Sequence, residues 1–131
     1  MILIKDTHVR HAGGVAAALE KAFAFRSGST APGLKIEIEV QSVEEFTTAI
    51  NLSPDRIMLD NMTIDQIKEA TAFIDKRALV ELSGGVTKSD LKSLADTGAD
   101  IISVGALTHS ARCVDISMQI NSNLTQTISK G

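Results

Sequence analysis

Apolar runs that close on a carboxylate or on a glycine turn recur along this chain at a nearly constant interval. Lys35-Ile36-Glu37-Ile38-Glu39 ends on Glu39, and Arg56-Ile57-Met58-Leu59-Asp60-Asn61 carries Asp60 near its end. Leu79-Val80-Glu81-Leu82 opens into Ser83-Gly84-Gly85, and Ile101-Ile102-Ser103-Val104 opens into Gly105. The steps between these endings are 21, 23 and 22 residues, about the length of one strand, one helix and two short loops. With the apolar start of the chain, the pattern predicts five parallel strands near 2–6, 35–40, 56–60, 79–83 and 101–105.

Helical patterns fill the intervals. Val15, Ala18, Leu19, Ala22 and Phe23 fall on one face of a first helix. Ser42 with Glu45 and Thr63 with Gln66 are capping-box pairs, and each precedes an apolar stripe of helical period. Thr87 with Asp90 predicts the start of a fourth helix, and Gly98 its stop. Residues 26–33, rich in Ser and Gly, read as a loop. Beyond Gly105, Leu107-Thr108-His109-Ser110 predicts one helical turn, residues 114–120 alternate like an edge strand, and the last ten residues read as frayed. Nothing resembles a linker, so residues 1–131 are expected to form a single domain. The fold class is α/β, a partial (β/α) barrel of about five parallel strands with intervening helices.

A parallel βα array gathers its strand C-termini on one rim, where such folds bind ligands. Glu39 and Asp60 share that rim with two glycine turns, which suggests a site for a metal-bound, phosphorylated small molecule. Ser83-Gly84-Gly85 followed by a helix start offers free backbone N–H groups for phosphate. Taken alone it is equally an ordinary tight turn. Gly105 and the short turn after it supply the second half of a recurrent barrel phosphate site. Asp60 and Glu39 are hard oxygen donors suited to Mg²⁺. Lys5, ending the first strand, suits a carboxylate or phosphate, or a Schiff base if desolvated. Alternation places Glu37 on the same face as Glu39, either as a solvated edge residue or with a polar partner.

Composition narrows the classes. A net charge of -3, four Phe and no Trp or Tyr argue against a nucleic-acid surface. Cys113 is the only cysteine, so no disulfide forms within the chain and a cytoplasmic location is expected. No apolar run reaches the roughly 18 residues of a membrane helix.

Five motifs in unbroken order carry a resemblance: Lys5-Asp6-Thr7-His8, Ile36-Glu37-Ile38-Glu39-Val40, Met58-Leu59-Asp60-Asn61, Glu81-Leu82-Ser83-Gly84-Gly85, and Ser103-Val104-Gly105-Ala106-Leu107-Thr108-His109-Ser110. The stretch from Ile2 to Ile120 resembles the C-terminal barrel half of the quinolinate phosphoribosyltransferase (nicotinate-nucleotide pyrophosphorylase, carboxylating) family. That family joins quinolinate to phosphoribosyl pyrophosphate, releasing pyrophosphate and carbon dioxide, to give nicotinate mononucleotide for NAD synthesis. The resemblance implies that Glu39 and Asp60 are catalytic and face the Mg²⁺-bound ribose and pyrophosphate. It implies that Lys5 holds a quinolinate carboxylate, and that Ser83, Gly84, Gly85, Gly105 and His109 hold phosphate. Thr7 stands where the family usually has Asn.

Family members are about twice this length, and their N-terminal domain and early strands carry basic substrate-binding motifs that these 131 residues do not contain. The resemblance therefore implies a truncated or split form with little activity alone. Its open edges imply a homo-oligomer, or a partner that supplies the N-terminal half. Three other readings share parts of the pattern. They are a non-catalytic phosphate-binding barrel fragment, the molybdenum-transport-associated paralogue of the family, and a different βα-barrel enzyme with Lys5 as a Schiff-base lysine.

Overall fold

The computed structural model describes residues 1–108. Strands β1 (Ile2–Ile4), β2 (Ile36–Val40), β3 (Arg56–Asp60), β4 (Leu79–Ser83) and β5 (Ile101–Ile102) form one parallel sheet in the order β1-β2-β3-β4-β5. Every crossover advances by one strand in the same direction. A doubly wound sheet would reverse its order at a switch point; this sheet does not. The expected partial (β/α) barrel of five parallel strands is the observed architecture. The strand expected over 114–120, the frayed last ten residues, Cys113 and His109 lie outside the described residues.

Alternation along the strands decides which face meets the helices. Ile36, Ile38, Val40, Ile57, Leu59, Val80 and Leu82 are all buried in one apolar core. They pack with Leu19 of α2 (Val15–Gly28), Phe46 and Ile50 of α3 (Val43–Asn51), and Ile67 and Ile74 of α4 (Ile64–Ile74). Burying each such side chain contributes about 1.5–3 kcal/mol, so this face fixes the strand registers. Adjacent helices contact one another, α2 on α3 and α3 on α4, as one layer does. Among the described residues no helix is long and apolar enough to cross a membrane.

Three local expectations need correction. An additional helix, α1 (Asp6–Ala12), precedes α2, and Gly13 and Gly14, at φ +95° and +125°, turn the chain between them. Glycine reaches these angles without a Cβ clash. The loop expected over 26–33 is shorter, because α2 continues to Gly28 and Ser29 caps it. Arg26, in the last turn of α2, pairs with Asp55 at 3.0 Å, and Asp55 also accepts from the Ile36 N–H at 2.9 Å. Finally, α5 (Leu91–Ala95) starts at Leu91, not at Thr87. The Asp90 carboxylate accepts the Thr87 N–H at 2.9 Å and the Thr87 hydroxyl at 2.6 Å, which closes a turn before the helix.

The capping box expected at α4 is present. Thr63 Oγ1 accepts from the Gln66 N–H, and Gln66 Oε1 accepts from the Thr63 N–H at 2.9 Å. Thr63→Ala is expected to lower the unfolding free energy by about 1 kcal/mol, measured by urea denaturation.

Candidate functional site

The face turned away from the core is polar. Period-two alternation puts Glu37 and Glu39 of β2, Arg56, Met58 and Asp60 of β3, Glu81 and Ser83 of β4, and Ser103 beyond β5 on it. Register pairs Asp60 with Ser83 and Glu39 with Met58. Lys5 follows the end of β1 and is exposed. The sequence-expected residues Lys5, Glu39, Asp60, Ser83, Gly84 and Gly85 therefore gather at one end of the sheet.

Glu39 is buried, and its pKa is raised first by that burial and then by the neighbouring Asp60 carboxylate. Lys5 and the Asp6 N–H pull the other way. Asp60 accepts from Gln41 Nε2 at 3.2 Å and from Asn61 Nδ2 at 2.9 Å. Two carboxylates whose charges oppose each other at a rim are a donor set that a divalent cation relieves. Among the described residues no group of three or more His, Cys, Asp or Glu side chains converges. The two carboxylates alone offer hard oxygen donors, the ligand type that Mg²⁺ takes one or two of.

The glycine turn has two different positions. Gly84, at φ +89°, leaves no room for a side chain: a Cβ there would lie 2.6 Å from the Asn61 backbone nitrogen. Asn61 itself takes φ 54° and donates its N–H to the Ser83 carbonyl at 3.1 Å. Gly85, at φ +59°, faces open space, with nothing within 4 Å of a Cβ. The turn can admit a ligand at Gly85 and is held rigid at Gly84. The helix N-terminus expected behind it is absent from the cradle, because α5 begins six residues later and has only five residues. Gly105 opens a single 3-10 turn, Gly105–Leu107, and its carbonyl accepts from the Thr108 N–H at 2.9 Å. A cavity of about 240 Å³ lies behind the glycine turn, lined by Met62, Thr63, Ser83, Gly84, Gly85 and Ser93 among others. The larger cavity, about 400 Å³, lies beside the N-terminal ends of β4 and β5 and holds none of the expected residues.

Below the rim lies a cluster that sequence reasoning does not assemble. Arg56 Nη1 reaches Glu81 at 2.7 Å and Glu37 at 3.4 Å, and the Ser103 hydroxyl donates to Glu81 at 2.5 Å. Glu37 is not a solvated edge residue: β2 lies between β1 and β3, and Glu37 is 1% exposed. Its Oε1 has no hydrogen-bond partner among the described residues. Burial, and then the Glu81 carboxylate, push Glu37 up to about 7 against the pull of Arg56. Burial works to raise the Glu81 pKa, yet it is held down from its ordinary value because the Ser103 hydroxyl and Arg56 donate to it. The one signal of this cluster in the sequence is a polar residue at alternate positions of each apolar run.

Residues 1–119 match the family model described as quinolinate phosphoribosyl transferase, C-terminal domain. The chain belongs to that family. A quinolinate phosphoribosyltransferase (decarboxylating) 2a, mitochondrial, of Nicotiana tabacum is 35% identical over 99% of this chain and 41% of its own length. The nicotinate-nucleotide pyrophosphorylase (carboxylating) of Mycobacterium leprae is 40% identical over 90% of this chain and 41% of its own. The solved structure of the nicotinate-nucleotide pyrophosphorylase from Francisella tularensis superposes with a TM-score of 0.74 at 35% identity. It covers 92% of this chain and 41% of that one. The chain spans about two fifths of the length of these quinolinate phosphoribosyltransferase relatives.

The Glu37 cluster sets a pH dependence. Folded Glu37 keeps its proton to about 7, whereas the ordinary carboxyl releases it near 4.5. The folded state therefore binds more protons between these values, and stability falls as pH rises through them. Glu37→Gln removes this term. Wild type is expected to lose on the order of 1–3 kcal/mol relative to Glu37→Gln between pH 4.5 and 8, read by denaturation across that range. A constant difference would contradict it.

Proposed function

We propose that the chain forms the phosphoribosyl pyrophosphate-handling part of a quinolinate phosphoribosyltransferase, which makes nicotinate mononucleotide, pyrophosphate and CO₂ for NAD synthesis. The observation that carries this reading is the gathering of Glu39, Asp60, Ser83 and the open Gly85 turn at one rim of a family-matched sheet. In this reading the Gly84-Gly85 and Gly105 backbones, with His109, hold phosphate. The Glu39 and Asp60 carboxylates stabilise the positive charge that builds on the sugar carbon as its bond to pyrophosphate breaks. Lys5 holds a quinolinate carboxylate through its ammonium group. Glu39 and Asp60 are also the residues that would hold Mg²⁺, whose chemistry is to neutralise the departing pyrophosphate.

The rim is poorly furnished for quinolinate itself. Among the described residues Lys5 is the only cation beside the Glu39 carboxylate, whereas Arg56 is already bound to Glu37 and Glu81. A dianion needs more positive charge than this. We therefore propose that catalysis requires cationic groups from further polypeptide, through a homo-oligomer or a partner. The open outer edges of β1 and β5 among the described residues favour such assembly. The location proposed is cytoplasmic, on the single cysteine; the tobacco relative is named mitochondrial.

Two outcomes test the assignment. Asp60→Asn is expected to weaken Mg²⁺-dependent binding of phosphoribosyl pyrophosphate by about tenfold or more, whereas Glu37→Gln changes it far less. Equal effects in calorimetry would remove Asp60 from its role. The 131-residue chain is expected to show little turnover, and adding a polypeptide equivalent to the relatives' remaining length should restore it. Robust release of CO₂ from the chain alone would show that the missing charge is not needed.

A further inference from the structure

β5 is the weakest part of the sheet. It has two residues, two register pairs with β4, and no fully buried side chain. Of its residues, only Ile102 packs against the core. Yet it delivers the Gly105 turn, which must stay level with the Ser83-Gly84-Gly85 turn if both are to hold one phosphate group. Backbone bonds fasten it on either side, Asp100 N–H to the Val80 carbonyl at 3.0 Å and Ser103 N–H to the Leu82 carbonyl at 2.9 Å. On the concave face one side-chain tie is added: the Ser103 hydroxyl donates to Glu81 Oε1, while Arg56 Nη1 holds the other oxygen of the same carboxylate at 2.7 Å. Arg56 in turn reaches Glu37 on β2 at 3.4 Å. One chain of polar contacts thus crosses β2, β3, β4 and the end of β5.

The register gives this tie its consequence. Glu81 and Leu82 pair with Ile101 and Ile102, so Ser103 falls level with Ser83. The tie runs from Glu81, three residues before Gly84, to Ser103, two residues before Gly105. A carboxylate gripped by a guanidinium from one side presents its second oxygen in a fixed position. A hydroxyl bonded to that oxygen has little freedom to move outward.

We propose that Glu81, braced by Arg56, is a positioning residue that acts through the Ser103 hydroxyl to hold the Gly105 turn level with the Gly84-Gly85 turn. It thereby sets the affinity of the two turns for that phosphate group. This rests on the phosphate reading of the two turns under the proposed function. Neither Glu81 nor Ser103 needs to touch the ligand.

The test uses the full 131-residue chain, inorganic phosphate as the probe, and three variants. Ser103→Ala removes the hydroxyl, Ser103→Thr keeps it, and Gly85→Val fills the open turn itself. Ser103→Ala is expected to weaken phosphate binding about tenfold and to speed hydrogen exchange of the residue-103 amide without ligand. Ser103→Thr should restore both towards wild type, which a loss of packing alone would not do. Gly85→Val should abolish binding, because it both fills the turn and strains a residue at φ +59°, without altering exchange at residue 103. Unchanged exchange and affinity in Ser103→Ala, with binding lost in Gly85→Val, would overturn the positioning role and leave the phosphate site standing. Unchanged affinity in both Ser103→Ala and Gly85→Val would overturn the phosphate reading, and the positioning role with it.

Discussion

A parallel ladder wound always in one direction makes every strand end at the same rim and gives the sheet two unlike faces. The first crossover sets both outcomes. Once Ile2 pairs with Ile36 and Ile38 with Ile57, a one-residue slip would carry Glu37 and Glu39 into the helix layer and Ile36 and Ile38 out of it. The apolar face therefore holds the register, and the register in turn aligns Asp60 with Ser83 and brings Glu39 beside Met58 at the functional end. The site depends on the core through this geometric constraint and shares few atoms with it.

The concave face carries the cost of that arrangement. Glu37, Glu39 and Glu81 are all buried on a surface where Arg56 is the cation in reach of two of them. Breaking a buried ion pair by removing one partner is strongly destabilising, whereas the intact pair contributes little net stability. What the cluster supplies is order: one guanidinium, two carboxylates and a hydroxyl link β2, β3, β4 and the residue after β5. Among the described residues one oxygen of Glu37 has no hydrogen-bond partner, and burial with the nearby Glu81 carboxylate raises Glu37 to about 7. At the rim the balance differs: burial and the Asp60 carboxylate disfavour the charged form of Glu39, and Lys5 favours it.

Features governed by near neighbours along the chain are legible in the sequence. Thr63 and Gln66 are three residues apart and meet in the capping box, and the strand ends at Asp60 and Ser83, and one residue past Glu39, follow from the repeat of apolar runs. Features governed by register are not legible in this way. Nothing local says that Arg56 meets Glu81 and not Glu37 alone, or that Ser103 completes the set, because those contacts span 25 and 22 residues of chain. The helix start after the glycine turn departs from its sequence pattern for a different reason. Asp90 has two uses for its carboxylate, as an N-terminal helix cap or as the acceptor that closes the Thr87 turn, and the second prevails. Likewise Asp6–Ala12 is helical although short, since Gly13 and Gly14 permit a second helix to start at once and pack on it.

The central claim is that this sheet works at its strand C-terminal rim. Titrating isotope-labelled chain with Mg²⁺ and phosphoribosyl pyrophosphate, and following the backbone amides by NMR, tests it most directly. The largest shifts are expected at Asn61, Gly84, Gly85 and Gly105, with small ones at Leu34, Leu79 and Gly98. Saturable shifts centred on Leu34 and Leu79, or on Thr97 and Gly98, would place binding at the opposite end of the strands and contradict the claim.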